Sequence, residues 1–376
     1  MQHELTADQR LFQTTNREFL ERTAPIATVR ALNDAGGGFD RAWWVRAAEL
    51  GWTAMLVPEN LGGGTVSGSP LADLAIIAGE CGRGCAPGPL TTTSAVLTGL
   101  VSDGERFADS IESILGGETV AAWALYEPGT ALRLTSAQTT LSRDGSGYRL
   151  NGTKDRVESG DQADVFLVTA TGPDGLVQVL VPANAPGVTV TPKESFDFVR
   201  HTAEVVFSDV SVDSDAIVGQ GSVAATTIES QFQIAATLAA AEMAGATERA
   251  FESTVQWLFD RYTFGRQLAS YQALKHRMAD NKTWLEACNA ISWAAAVSFD
   301  HDPTATAELV GAAKSYIGAK APHIVQDCIQ LHGGIGVTWE HDMHLYLRRV
   351  IFDRALYGTP EEHRRRITDL LDRGAA

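Results

Sequence analysis

The segment Gln330-Leu331-His332-Gly333-Gly334-Ile335-Gly336 places three glycines directly behind a helical pattern. Gly333 suits the left-handed residue that closes a helix, and Thr338 suits the N-cap of the next one. A helix–turn–helix corner accounts for that one glycine and leaves two over. Glycines let a ligand approach the backbone, and exposed N–H groups near a helix start favour an anion such as a pyrophosphate. A second stretch carries complementary chemistry. Arg261-Tyr262-Thr263-Phe264-Gly265 sets a guanidinium beside a hydroxyl and an aromatic ring, and Gln272 follows early on the next helix. Such an arginine clamps a phosphate, and the ring presents a flat apolar wall. A helical hairpin closed by Gly265, with a solvated arginine, is the plainer alternative. His341 and His344 have helical spacing that permits a shared metal, but no third ligand accompanies them, so the expectation is a polar helix face and no metal. Cys81 and Cys85 lack a second pair that would complete a zinc site. The four cysteines therefore read as free thiols in a reducing cytoplasm.

These residues need elements to position them. The chain has 376 residues, enough for two or three domains. Its net charge of −16 repels phosphate backbones and argues against nucleic acid as a partner. No apolar run reaches membrane-spanning length, and the polar start "MQHELTADQRLFQ" reads as a helix capped by Thr6, not as a signal peptide. The predicted location is cytoplasmic. Residues 1–118 carry helical periodicity, including "GFDRAWWVRAAELGW", stopped by Gly51. Residues 119–222 carry short β-type runs such as "ADVFLVTA", "LVQVLVPA" and "AEVVFSDVSV", with "DGSG" as a hairpin turn. Residues 223–376 return to long, alanine-rich helices with short connections. The predicted fold class is α+β: an N-terminal helical domain, a middle antiparallel β domain and a C-terminal four-helix bundle.

In these motifs and this layout the chain resembles the acyl-CoA dehydrogenases, a family of flavoproteins. That family shows R-x-x-F-G, a glutamine shortly after it, and a later Q-x-x-G-G-x-G. Smaller echoes are "GWTAMLVPENLGGG", "GECGRGCAPGPL", "YEPG", "LNGTK" and "DFVRHTAEVVFSDVSV". The resemblance implies FAD as cofactor, an acyl-CoA thioester as substrate, α,β-dehydrogenation as reaction and an acceptor of the electron-transfer flavoprotein type. It also implies a homo-oligomer in which Arg261, Thr263, Phe264, Gln272, Gln330, Gly333 and Gly334 reach the pyrophosphate and adenine side of a neighbour's flavin.

The departures from the family pattern fall on one side. The catalytic carboxylate of the family stands either in a Y-E-G-T turn or directly after the arginine of R-x-x-F-G. Here those positions are Tyr357 and Tyr262. Substitutes are Glu242, Asp260 and Glu361. Asp260 is expected to pair with Arg261 or Arg266. Thr359-Pro360-Glu361-Glu362 reads as a capping box, which gives the two glutamates structural work. In the β domain, T-E-P-G-A-G-S-D is replaced by Tyr126-Glu127-Pro128-Gly129-Thr130-Ala131-Leu132-Arg133. K-x-W-I-T/S-N is replaced by Lys154-Asp155-Arg156-Val157-Glu158-Ser159. The aromatic that backs the flavin ring becomes Arg156, and the hydroxyl becomes Glu158, which cannot donate to flavin N5 when ionised. The expected outcome is a non-catalytic subunit that contributes half a flavin site to a related, base-bearing subunit. Actinobacterial α2β2 heterotetramers acting on steroid side-chain CoA esters resemble this arrangement. The alternatives are a self-sufficient dehydrogenase with a relocated base and a redox-silent acyl-CoA-binding or assembly protein.

Overall fold

The computed structural model describes residues 5–129, 132–300 and 303–374. In chain order its elements are α1 (Ala7–Thr23), α2 (Ile26–Asp34), α3 (Arg41–Glu49), α4 (Pro70–Gly84), α5 (Leu90–Leu100), α6 (Ala108–Leu115), β1 (Ala121–Ala124), β2 (Thr140–Asp144), β3 (Gly147–Glu158), β4 (Val165–Gly172), β5 (Gly175–Pro182), β6 (Val188–Lys193), β7 (Thr202–Val212), β8 (Ile217–Gln220), α7 (Gly221–Asp260), β9 (Tyr262–Thr263), β10 (Arg266–Gln267), α8 (Gln272–Ser298), α9 (Pro303–His332), α10 (Met343–Ala355) and α11 (Pro360–Gly374). Helices and strands occupy separate stretches of sequence, so the fold is α+β. Among the described residues no helix is long and apolar enough to cross a membrane.

The chain forms two compact units. One contains Ala31–Pro70 and Pro87–Ala235, the other Met1–Arg30, Leu71–Ala86 and Ala236–Ala376. The first unit holds the sheet, with strand order β6-β7-β3-β2-β4-β5-β8. The predicted turn is present: Asp144 faces Gly147, and Gly145 takes φ +60 between them. The sheet is mixed, not wholly antiparallel, because β1 runs parallel to β4 and Thr140 of β2 makes a parallel bridge to Thr171 of β4. Strands separated by long intervening chain can pair this way, whereas a two-residue turn imposes antiparallel pairing. Trp123 of β1 donates its N–H to the Thr92 hydroxyl of α5 (2.7 Å), which satisfies a strand-edge donor. Inside, Leu141, Leu150, Phe166, Val179, Val205 and Phe207 share one apolar cluster, with Phe166 and Phe207 edge to face at 6.3 Å.

The second unit begins as the sequence indicates. Thr6 Oγ1 accepts from Gln9 N–H, and the Gln9 side chain accepts from Thr6 N–H, a capping box at the start of α1. Residues 1–4 of the predicted first helix lie outside the described residues. Helices α4 and α7 touch backbone to backbone. A Cβ on Gly82 would stand 2.0 Å from the Glu242 carbonyl oxygen, and one on Gly245 the same distance from that of Gly79. Helix α9 packs against α8, α10 and α11. Pro322 within α9 has no N–H for the Gly318 carbonyl one turn back. That carbonyl accepts instead from Arg354 Nε of α10 (3.0 Å). The freed helix bond thus ties α10 to α9 just before the Tyr357 turn.

Candidate functional site

Between α7 and α8 the chain makes a β-hairpin in place of the helical hairpin that the periodicity suggests. Thr263 faces Arg266 and Tyr262 faces Gln267, leaving Phe264 and Gly265 as a two-residue turn. Both take positive φ, 54° and 82°, as the tight turn of a right-twisted hairpin requires. For a residue as bulky as phenylalanine this backbone is an outlier, yet Phe264 is 93% exposed. The hairpin is held from behind. Leu268 N–H bonds the Arg261 carbonyl (2.8 Å), Tyr271 Oη donates to the Thr263 carbonyl (2.8 Å), and the Arg266 guanidinium lies 3.9 Å over the Tyr271 ring.

The three glycines have three different reasons. Gly333 takes φ +68, the left-handed end of α9. Gly336 is buried, and a Cβ there would lie 2.5 Å from the Ile329 carbonyl oxygen. At Gly333 and Gly334 an added Cβ would meet nothing within 4 Å, so open space lies over that backbone. Thr338 is not the cap of the next helix. It follows a 3-10 turn, and α10 begins at Met343. The intervening loop is held by Arg30, which donates to the carbonyls of Trp339 and His341 and to the Asp342 carboxylate (2.6 Å).

Arg261, Gln272, Gln330, Gly333 and Gly334 are exposed and Thr263 is half-buried. Among the described residues the Arg261 guanidinium has no carboxylate partner. Asp260, expected beside Arg261 or Arg266, accepts instead from the Gln256 amide one turn back (3.0 Å). Helical spacing at i, i+4 favours that local bond. Arg261 lies 5.9 Å over the Trp257 ring. Trp257 in turn stacks on His332 (5.2 Å, 23°), and His332 stands 4.6 Å from His341. His332 Nδ1–H donates to the Cys328 carbonyl (2.8 Å). Burial holds its pKa below the usual histidine value, with that hydrogen bond opposing. His341 therefore belongs to an aromatic stack, and His344 stacks on Trp339. No metal-ligating group of three occurs among the described residues. All four cysteines are free and buried.

Both positions where a base was sought hold tyrosines in different settings. Tyr262 is 63% exposed on the hairpin, and Tyr357 is buried at φ +51. The Tyr357 turn is rigidly supported. Buried Lys314 donates to the carbonyls of Asp353 (2.5 Å) and Leu356 (2.7 Å), and His363 Nε2–H donates to that of Tyr357 (2.8 Å). Of the substitute acids, Glu242 is buried against Arg349 (2.6 Å). Glu361 is exposed between Arg354 and Arg364, its carboxyl held below the usual range by its backbone N–H and those arginines. Glu362 closes the predicted capping box with Thr359.

Burial pushes His363 down to about 3, reinforced by Lys314. The unfolded chain protonates this imidazole near pH 6.5, as an exposed histidine does. The folded chain takes up that proton only near pH 3, so stability falls as pH drops between those limits, by about 1.4 kcal/mol per unit. Melting curves from pH 7 to 4 should show a smaller loss in His363→Gln, whose amide still reaches the Tyr357 carbonyl. Equal slopes would contradict this assignment.

The corresponding motifs of the β-sheet are paired among themselves. Glu127 accepts from Lys154 (2.9 Å), from the N–H groups of Gln138 and Thr139 and from the Thr139 hydroxyl (each 2.7 Å). Burial raises the Glu127 carboxyl, but Lys154 and the N–H donors outweigh it and leave it below the usual range. Burial pushes Lys154 down to about 8 against the pull of Glu127. Arg156 sits at φ +49 on a β-bulge, its guanidinium 4.4 Å over the Tyr126 ring. Glu158 is buried in an ion pair with buried Arg200. A cavity of about 280 Å³ remains, lined by Tyr126, Glu127, Leu132, Arg133 and Gln138. Thr130 and Ala131 of this motif lie outside the described residues.

Sequence reasoning did not find Trp257, His332, Lys314, His363 or Arg200. Trp257 precedes Arg261 by one helical turn, a spacing visible in the sequence. Its contact with His332 spans two helices and leaves no local signal.

Family models for the acyl-CoA dehydrogenase N-terminal, middle and C-terminal domains match residues 6–106, 122–210 and 225–371. The chain is 31% identical over 365 residues to acyl-CoA dehydrogenase IpdE2 of Mycobacterium tuberculosis, covering 96% of each. It is 32% identical to acyl-CoA dehydrogenase FadE34 of the same organism, with 96% of this chain matching 48% of that one. Among solved structures, the Tcur3481–Tcur3483 steroid ACAD superposes with a TM-score of 0.87 at 28% identity, covering 98% of each chain.

Proposed function

This chain belongs to the acyl-CoA dehydrogenase family, and from that premise we propose that it is the non-catalytic subunit of a heteromeric dehydrogenase. Members of the family are oxidoreductases acting on CH–CH groups with FAD as cofactor. The observation that carries the proposal is a contrast in commitment. Arg261, Gln272 and Gln330 are exposed, and none is engaged by a charged or polar side chain among the described residues. With Thr263, Phe264 and the open backbone of Gly333 and Gly334 they fit a nucleotide pyrophosphate presented from outside. The sheet residues do not fit the ring of a flavin. Arg156 occupies the face of Tyr126, and Glu158 is spent on Arg200.

When bound, FAD supplies the hydride acceptor for α,β-dehydrogenation of an acyl-CoA thioester. This chain's part is to grip the nucleotide portion of a partner's FAD. The partner supplies the carboxylate base, since Tyr357 and Tyr262 replace it here. This chain matches 48% of the length of FadE34, which leaves room there for a further unit of similar size. The steroid ACAD, whose name joins two components, supports the same arrangement and a steroid-type acyl-CoA as the substrate class. The acceptor is of the electron-transfer flavoprotein type. Expressed alone, the chain should purify colourless and fail to pass electrons from any acyl-CoA to a dye. Yellow protein whose flavin an acyl-CoA bleaches would favour a self-sufficient enzyme.

A further inference from the structure

We propose that Trp257 and His332 are positioning residues that lock the arginine hairpin to the glycine turn, so that the two motifs meet one nucleotide as a unit. The inference rests on the reading above. In sequence the motifs are separated by all of α8 and α9. In space Trp257 bridges them. Its ring carries the Arg261 guanidinium (5.9 Å) and stacks on His332 (5.2 Å), the residue directly before Gly333. His341 packs against both rings, 4.6 Å from His332 and 6.5 Å from Trp257. The Cys328 carbonyl fixes the His332 ring through Nδ1. The result is a column from the 338–342 loop through the end of α9 to the base of the hairpin.

The choice of tryptophan bears this out. Its indole N–H is buried and has no hydrogen-bond partner among the described residues. An orphaned buried donor is costly, and a leucine would fill much of the space without one. The ring is retained for its face, which a guanidinium and an imidazole both use. Arg261 reaches a ligand from a fixed platform, and the Gly333–Gly334 backbone stands at a fixed offset from it.

The test uses the chain co-purified with a base-bearing acyl-CoA dehydrogenase subunit, and FAD itself as probe. Trp257→Leu should raise the FAD dissociation constant about tenfold, while Trp257→Tyr, which keeps a ring face, restores it. Melting of the lone chain, measured alongside for Trp257→Leu and Trp257→Tyr, separates weaker binding from unfolding. Amide exchange in the lone chain gives a second readout. The Leu268 N–H, bonded to the Arg261 carbonyl, and the Thr338 N–H, bonded to the Ile335 carbonyl, should lose protection together in Trp257→Leu and in His332→Ala. Unchanged FAD binding in Trp257→Leu, or exchange that rises at one amide only, overturns the inference. Arg261→Ala separates the two ideas. If it weakens FAD binding while Trp257→Leu does not, the column fails and the shared site stands. If neither weakens it, both fail.

Discussion

Arg261→Ala is expected to remove most of the FAD from the assembled complex while leaving the lone chain's stability unchanged. A charge-assisted hydrogen bond to phosphate contributes about 1.5–3 kcal/mol, which corresponds to roughly ten- to hundredfold in affinity. Within its own subunit Arg261 has no ion pair among the described residues, so truncation breaks no buried network there. Arg261→Lys keeps the charge but loses the planar fork, and should fall between wild type and alanine. The measurement is flavin absorbance per complex after gel filtration. Full flavin retention in the alanine variant would remove Arg261 from the nucleotide site.

Glu242→Gln should have a comparably large effect of another kind. The carboxylate is paired with Arg349, whose side chain is 0% exposed against 3% for Glu242. Breaking a buried ion pair by removing one member costs about 3–5 kcal/mol. Denaturant midpoints should drop accordingly, and the double variant Glu242→Gln, Arg349→Met should recover part of the loss. A relocated base would behave differently. If Glu242 abstracted the substrate's proton, Glu242→Gln would stay folded and lose turnover. The geometry favours the first outcome, because the Glu242 carboxylate is buried against the Arg349 guanidinium at 2.6 Å.

Much of this was legible in the sequence because local rules carry it. The Thr6 and Thr359 capping boxes, the "DGSG" turn and the alternation of helical and β blocks all depend on residues within a few positions of one another. The departures from the family pattern were also legible, since Arg156 and Glu158 stand where an aromatic ring and a hydroxyl were expected. What they do instead was not. Arg156 over Tyr126 and Glu158 with Arg200 are contacts across a sheet, set by a bulge and by strand register. The Asp260 expectation failed because the Arg261 and Arg266 guanidiniums lie over the Trp257 and Tyr271 rings, and Asp260 accepts from the Gln256 amide one turn back. The Thr338 cap failed because Arg30, far away in sequence, holds the loop carbonyls that an earlier helix start would have used. Parallel pairing of β1 with β4 is likewise a long-range result that alternating hydrophobicity does not encode.

Counting flavins bears most directly on the central claim. When this chain is co-purified with a base-bearing acyl-CoA dehydrogenase subunit, the complex should hold one FAD for every pair of unlike chains, and this chain alone should hold none. One FAD per polypeptide, or a flavin bound stoichiometrically by this chain alone, would contradict it.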